Sequence, residues 1–345
     1  MSKTKQCFVI VVLTLGLVTL KFTEDFARFL RKPVSVDAQG QVFVIAPGSS
    51  VYKIAKTLER AHIIDSGWSF LFLVKKEGVW KQLRAGEYLI QPNMTPRQLI
   101  GLFSSGKVVQ HAITIVPGWH FDQLMAVINQ SPHLKHTLTG FTPEMIMAAL
   151  GHPGEHPEGR FLPDTYYFPA GISDVAFLKR AYSMLKAKLD HLWEGRINSL
   201  PLKSSYEALI LASIVEKESN LMSEYQEIAG VYVRRLEKKM RLQADPTVIY
   251  GVGKAFTGQV TRQMLMKPSP YNTYLNKGLP PTPIAMPSEQ AINAVLHPLP
   301  GKTLYFVVHH SGKGHVFSKD LKDHQVAVKE YRQAYLEKQR KQGKP

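Results

Sequence analysis

Between Tyr206 and Met222 the chain reads YEALILASIVEKESNLM, an apolar helical run with a carboxylate set among nonpolar residues. A helix this apolar must lie against a core. At about 100° per residue, Leu211, Ile214, Val215, Glu218 and Met222 share one side of it, while Glu216 points about 200° away from Glu218, near Ala212 and Ser213. The two glutamates of VEKE therefore diverge, and only Glu218 is expected to be buried. An unpartnered glutamate on an apolar stripe is costly when ionised, so its pKa rises and it holds a proton near neutrality, as a general acid must. A glutamate paired with a basic neighbour at a helix end fits the window equally well.

The chain has 345 residues, 44% of them apolar, enough for two or three domains with real cores. Its 43 Lys and Arg against 27 Asp and Glu give a net charge of +16, which favours an anionic partner: nucleic acid, a membrane surface or an acidic polymer. The basic residues are dispersed, without a zinc-finger, RRM or helix-turn-helix signature, so nucleic acid is not the expected partner. The single cysteine, Cys7, leaves the rest of the chain without an intramolecular disulfide and says nothing about redox compartment.

Residues 1–22 combine a basic start with an uncharged, mainly apolar run from Cys7 to Leu20, and no A-x-A cleavage site follows. An uncleaved N-terminal membrane anchor is expected, although the run is short for a spanning helix. Lysines on both sides leave its orientation open. After a linker over 23–40, three segments share one grammar of strand, Pro-led turn and amphipathic helix. Counted from Pro47, Pro92 and Pro117, apolar residues recur seven places on (Ile54, Leu99, Leu124) and eleven on (Leu58, Phe103, Ile128). Their unequal spacing excludes a solenoid, so the first two belong to a small α/β module over 41–110 and the third opens the next domain. Trp68, Phe70, Phe72 and Trp80, between the first two segments, are expected to pack in a core rather than to stack on sugars.

Further on, a Pro/Gly-rich stretch over 151–171 reads as a shaped loop, and 174–193 as a helix capped by Ser173. Ser223 to Gln226 matches a capping box for a helix reaching about Lys239. The segment 303–318 reads as a hairpin turning at 311–314, followed by a helix over 326–339. The basic tail covers 336–345.

Five motifs occur in order: EGRFLPDTYYF (158–168), ASIVEKES (212–219), RLQADPTVIYG (241–251), YNTY followed by GLPPTPIAMP (271–287), and HVFS (315–318) with its downstream helix. With them the sequence resembles the MltG (YceG-like) family of membrane-bound endolytic murein transglycosylases over almost its whole length. The resemblance implies an α+β fold: an N-terminal anchor, a small LysM-like α/β module, and a larger mixed α+β catalytic domain over 111–335. It implies cleavage of the β-1,4 bond between N-acetylmuramic acid and N-acetylglucosamine in nascent glycan, leaving a 1,6-anhydro end, with Glu218 of the Glu218-Ser219 pair as acid/base. No cofactor or metal is implied. The partners implied are peptidoglycan strands, the inner membrane through the N-terminal helix, and neighbouring peptidoglycan synthases, with the catalytic part on the periplasmic side. The sequence departs from the family at Arg160, where relatives often carry an aromatic residue, and at Ala244, often a threonine. Neither change should abolish chemistry, and Arg160 is expected to alter a loop contact with the glycan.

One carboxylate suffices for such a reaction. Protonated Glu218 gives its proton to the leaving glycosidic oxygen, then as carboxylate takes one from the muramyl C6 hydroxyl, which attacks its own C1. Hydrolysis would need a second carboxylate, for which Asp245 and Glu224 are the candidates. Ser219, Gln243, Asn272 and Tyr274 are assigned to substrate binding, because amides, hydroxyls and aromatic faces suit sugars. Loop structure is the alternative for each, and it is favoured for Asp245. Asp164 reads as a loop organiser. His309, His310, His315 and His324 match no zinc spacing and are expected on an exposed hairpin face. The competing function is a tethered, non-catalytic glycan-binding scaffold, which would tolerate Gln at position 218.

Overall fold

The computed structural model describes residues 3–341, so the ends of the expected anchor and basic tail, residues 1–2 and 342–345, lie outside the described residues. Two compact units emerge: Met1–His111 with Tyr167–Gly171, and Ala112–Tyr166 with Ile172–Pro345.

The first unit begins with helix α1 (Lys3–Arg31) and continues through β1 (Gln41–Ile45), α2 (Val51–Arg60), α3 (Gly67–Lys76), β2 (Gly86–Ile90) and α4 (Pro96–Ser105). Strands β1 and β2 pair antiparallel, Phe43 opposite Tyr88, with two helices between them in sequence. Ser50, Ser66 and Thr95 cap the three short helices with their side-chain oxygens, satisfying backbone N–H groups that a first turn leaves free. The expected periodic residues Ile54, Leu58, Leu99 and Phe103 are all core. Of the four intervening aromatics only Phe70 joins them. Trp68 and Trp80 are exposed, and Phe72 is half in solvent with its ring edge on Phe22 and Phe26 of α1. Among the described residues no helix is long and apolar enough to cross a membrane. An uncharged run of 14 residues spans about 21 Å as helix, against about 30 Å of hydrocarbon.

Strand β3 (Gln110–Thr114) pairs with β4 (Thr165–Pro169), and the residues of this ribbon are divided between the two units. The second unit carries α5 (Phe121–Gln130), α6 (Pro143–Leu150), α7 (Asp174–Glu194), α8 (Ser205–Glu218), α9 (Tyr225–Glu237), α10 (Asp245–Val252), the single turn α11 (Arg262–Leu265) and α12 (Glu289–Leu296). It closes with the antiparallel hairpin β5 (Tyr305–Val308) and β6 (His315–Ser318) and the helix α13 (Leu321–Lys341). Ser173 caps α7 as expected. The expected capping box before α9 does not form: a 3-10 turn over Met222–Glu224 leads into that helix, and no side chain caps it.

Helix α8 is the centre of this unit. Ser204 caps it, and every residue from Ala208 to Val215 is buried. The single apolar stripe expected from periodicity is thus a helix buried on all sides, because α7, α9, α10 and α12 all pack on it. At roughly 1.5–3 kcal/mol for each fully buried Leu, Ile or Val, this helix contributes much of the unit's driving force. Ser213, its one buried polar residue before the end, donates to Ile210 O and accepts the Ile284 N–H. Met222, expected on the same face, lies beyond the helix end and is exposed.

Candidate active site

At Glu218 α8 stops, because Ser219 is extended (φ −141°, ψ 144°). The carboxyl of Glu218 lines a cleft of ≈ 610 Å³ whose walls come from α9, the start of α10, the 271–274 loop, the β5–β6 hairpin and α13. The Tyr232 hydroxyl, one helix over on α9, donates to Glu218 Oε1. Burial drives the carboxyl's pKa up to about 7; the Tyr232 hydrogen bond opposes this, the Asp245 charge adds to it, and the Arg235 guanidinium opposes it. Near neutral pH the group is therefore divided between acid and base, the state that a residue acting as both requires.

Arg235 is itself buried. Its Nε donates to Leu304 O (2.7 Å) and its Nη1 to Leu242 O (2.8 Å), so the cation is held by carbonyls rather than by a carboxylate. It braces the hairpin and the 241–243 segment around the cleft. Gln243, in the left-handed region (φ 52°), lines the cleft with its side-chain oxygen 3.4 Å from Arg235 Nη1. Tyr274 lines it too, donating to Asp245 Oδ1 at 2.6 Å. Asp245 faces the same space, so the turn-forming role favoured for it from sequence gives way to a place beside Glu218.

Two assigned substrate contacts are elsewhere. Asn272 is buried, outside the cleft lining, and donates through Nδ2 to Leu265 O (3.0 Å) and Lys267 O (2.8 Å) while its Oδ1 accepts the Tyr274 N–H (2.9 Å). Carbonyls in a Pro-flanked loop have no ladder to bond to, and Asn272 supplies it; its place is to hold the loop that presents Tyr274. Ser219 is also buried, and its hydroxyl donates to Glu224 Oε2 (2.9 Å) rather than to the cleft. Glu224 is occupied by Ser219 and by His315, so it is not free to serve as a hydrolytic partner carboxylate.

Glu216 does diverge from Glu218, but it is no idle residue. Its Oε2 accepts both the N–H (2.9 Å) and the hydroxyl (2.6 Å) of Ser288, the cap of α12, and its Oε1 accepts from Tyr225. Arg160 lies 4.3 Å over the Tyr206 ring and pairs with Glu155 at 3.2 Å, away from the cleft lining. The histidines expected on an exposed face separate: His310 is exposed, whereas His315 and His324 line the cleft. Among the described residues His309 contacts Ser311 Oγ (2.7 Å) and the His310 ring (4.0 Å between centroids), His315 contacts Glu224 (2.7 Å), and His324 lies against the Tyr305 ring (5.2 Å).

The YceG-like family profile matches residues 43–330, spanning both units and all of the cleft's lining residues up to Val328. The chain belongs to the YceG-like family. It is 30% identical over 329 residues to the endolytic murein transglycosylase of Bacillus subtilis, covering 89% of each chain. With the endolytic murein transglycosylase of Streptococcus pneumoniae R6 it shares 28% identity over 334 residues, 86% of this chain but 60% of that one. A crystal structure of a yceG-like protein from Listeria monocytogenes superposes with a TM-score of 0.55 at 29% identity, covering 84% of this chain and 99% of the other. The mixed α+β architecture is thus that of the YceG-like fold. Tyr232 and Arg235 are not singled out by the sequence, and His315, expected on an exposed hairpin face, lines the cleft instead. For the first two the available signal was a Tyr and an Arg three apart on the buried face of the next helix.

Proposed function

We propose that this chain is an endolytic murein transglycosylase, cutting the β-1,4 bond between N-acetylmuramic acid and N-acetylglucosamine in nascent glycan and leaving a 1,6-anhydro end. The observation that carries the reading is a glutamate with a pKa near 7 opening on a cleft large enough for sugar rings. Protonated Glu218 donates to the glycosidic oxygen as the C1–O bond breaks. The resulting carboxylate takes the C6 hydroxyl proton as O6 bonds to C1, so a nucleophile already tethered to its electrophile replaces water. The Asp245 carboxylate in the same cleft favours positive charge developing on the sugar, and the Tyr274 hydroxyl fixes its position. The murein named for the B. subtilis and pneumococcal relatives supports the substrate.

In this reading the two helices between β1 and β2 belong to a LysM-like glycan-binding module, and α1 holds the chain in the cytoplasmic membrane with the cleft outside. Support for the anchor comes from the side chains of Leu13, Leu15, Leu17, Val18 and Leu20, all more than 60% exposed. Alkaline extraction of membranes tests it: release of the full-length chain into the soluble fraction overturns the anchor. The activity is tested by incubating purified peptidoglycan with the detergent-solubilised full-length chain and weighing the products. Anhydro-muramyl ends are expected. Ordinary reducing ends would replace this mechanism with hydrolysis, and no cleavage would favour a glycan-binding scaffold.

A further inference from the structure

A polar chain begins one residue beyond Glu218. Ser219 Oγ donates to Glu224 Oε2 at 2.9 Å; the same oxygen lies 2.7 Å from His315 Nδ1, and Oε1 accepts the His315 backbone N–H at 2.8 Å. Burial works against the charge on Glu224, but the bonds from the His315 ring, its backbone N–H and Ser219 outweigh it and hold the carboxyl below its ordinary range. An ionised carboxylate has no proton to give, so the hydrogen of this contact sits on His315 Nδ1. In the neutral ring the lone pair is then at Nε2. His315 lines the Glu218 cleft, and among the described residues its Nε2 has no hydrogen-bond partner. Phe306 backs the imidazole at 88° with centroids 5.4 Å apart. Gly314 makes room for the carboxylate: its φ is +73°, and a Cβ there would stand 2.5 Å from Glu224 Oε1.

A hairpin needs none of this. An imidazole with one nitrogen anchored by a partly buried carboxylate and the other turned to a polar cleft is the arrangement by which proteins fix a tautomer for use on a ligand. We propose that His315 is a substrate-contacting residue of the Glu218 cleft, accepting at Nε2 a hydrogen bond from a hydroxyl or acetamido N–H of the glycan, with Glu224 as the positioning residue that fixes its tautomer. This rests on the cleft being a glycan site. The contact gives the cleft an acceptor besides Glu218 and Asp245, on the hairpin side.

Binding separates this idea from the activity. Full-length Glu218→Gln chain, which cannot cut by the proposed route, is titrated with purified uncrosslinked glycan strands, alone and combined with His315→Asn. Asn keeps a donor where Nδ1 stood but places no atom at Nε2. Binding is expected to weaken about tenfold or more, with the thermal midpoint little changed. In Glu218→Gln/Glu224→Gln an amide donor can face Nδ1, so the 15N resonances of the ring should switch from the Nδ1–H to the Nε2–H tautomer and strand binding should fall by a similar factor. Binding by the His315→Asn combination within about twofold of Glu218→Gln, or an Nε2–H tautomer in the unaltered chain, overturns the proposal. So does a Glu218→Gln chain that binds no strand. Strands that bind through His315 but are never converted to anhydro ends would leave the contact standing and remove the transglycosylase reading.

Discussion

Glu158 is a buried and Glu218 a partly buried glutamate of one unit, and desolvation pushes each up to about 7. Their surroundings differ. Glu158 is only 4% exposed; its Oε1 accepts the Phe121 N–H (3.0 Å) at the start of α5 and its Oε2 the Tyr250 hydroxyl (3.2 Å) from α10. Each oxygen has a fixed donor, and Glu158 does not line the Glu218 cleft. Glu218 has Tyr232 on one oxygen and the cleft beside it. Desolvation makes a weak acid of either residue, but only access makes it a reagent. A raised pKa would therefore nominate both, and the hydrogen-bond inventory chooses between them.

The largest test of that contrast is the matched pair of amides. Glu218→Gln should lower the yield of anhydro ends by about 1000-fold or more, the scale on which loss of an essential acid/base acts. Glu158→Gln should stay within about threefold, because an amide keeps an acceptor for the Phe121 N–H and the site does no chemistry. Comparable losses in both, measured by mass spectrometry of digests, would break the distinction.

Smaller, and more specific to Glu218, is the position of the pH profile. Donation requires the acid form, so turnover should fall as pH rises through about 7. The Tyr232 hydroxyl favours the charged carboxylate, so Tyr232→Phe should move that falling limb to higher pH; Asp245 disfavours it, so Asp245→Asn should move the limb lower. Opposite shifts are the signature to look for in initial rates between pH 5 and 9. A limb that neither change moves belongs to another group.

Glu216 is a third carboxylate, and it sharpens the comparison from the structural side. Glu216→Gln keeps one oxygen for the two Ser288 donors but makes those bonds neutral and puts an amide NH2 where Oε1 accepted the Tyr225 hydroxyl, which should cost about 1–2 kcal/mol in urea unfolding. The pH profile of turnover should keep its wild-type position. A displaced limb would mean that the end of α8 moves with α12.

How much of this was legible beforehand follows from the range of the interactions. The strand, turn and helix grammar at Pro47, Pro92 and Pro117 is written within about a dozen residues, and Ile54, Leu58, Leu99, Phe103, Leu124 and Ile128 are all buried. The cap at Ser173 is likewise local. Glu218 stood out because a carboxylate among apolar neighbours violates a local pattern. Its partners did not stand out. Tyr232 and Arg235 reach it only through the packing of α9 on α8, and His315 arrives on a hairpin far along the chain. Asn272 is ambiguous in the sequence for a related reason: an amide in a loop suits a sugar and a bare carbonyl equally, and sequence does not show which carbonyls the loop leaves unpaired. The stripe through Leu211, Ile214 and Val215 is only part of what α8 buries, because periodicity does not show that four other helices surround it.

The smallest expected effect on turnover is the most informative about Glu158. In the unfolded chain this carboxyl ionises near its ordinary 4.5 and in the folded chain near 7. Between those values the folded state holds the extra proton, so stability falls as pH rises, and above about 7 the loss levels off at about 3 kcal/mol. Glu218 contributes a slope of the same sign, so the wild-type curve alone does not separate them. Glu158→Gln has no proton to lose at this position. Its unfolding free energy should therefore decline less than that of wild type between pH 5 and pH 8, by a margin approaching that figure, while its yield of anhydro ends at pH 6 stays near wild type. Parallel curves from urea titrations at the two pH values would show that Glu158 is not held as an acid in the folded protein. Access would then no longer be the one difference between the two glutamates.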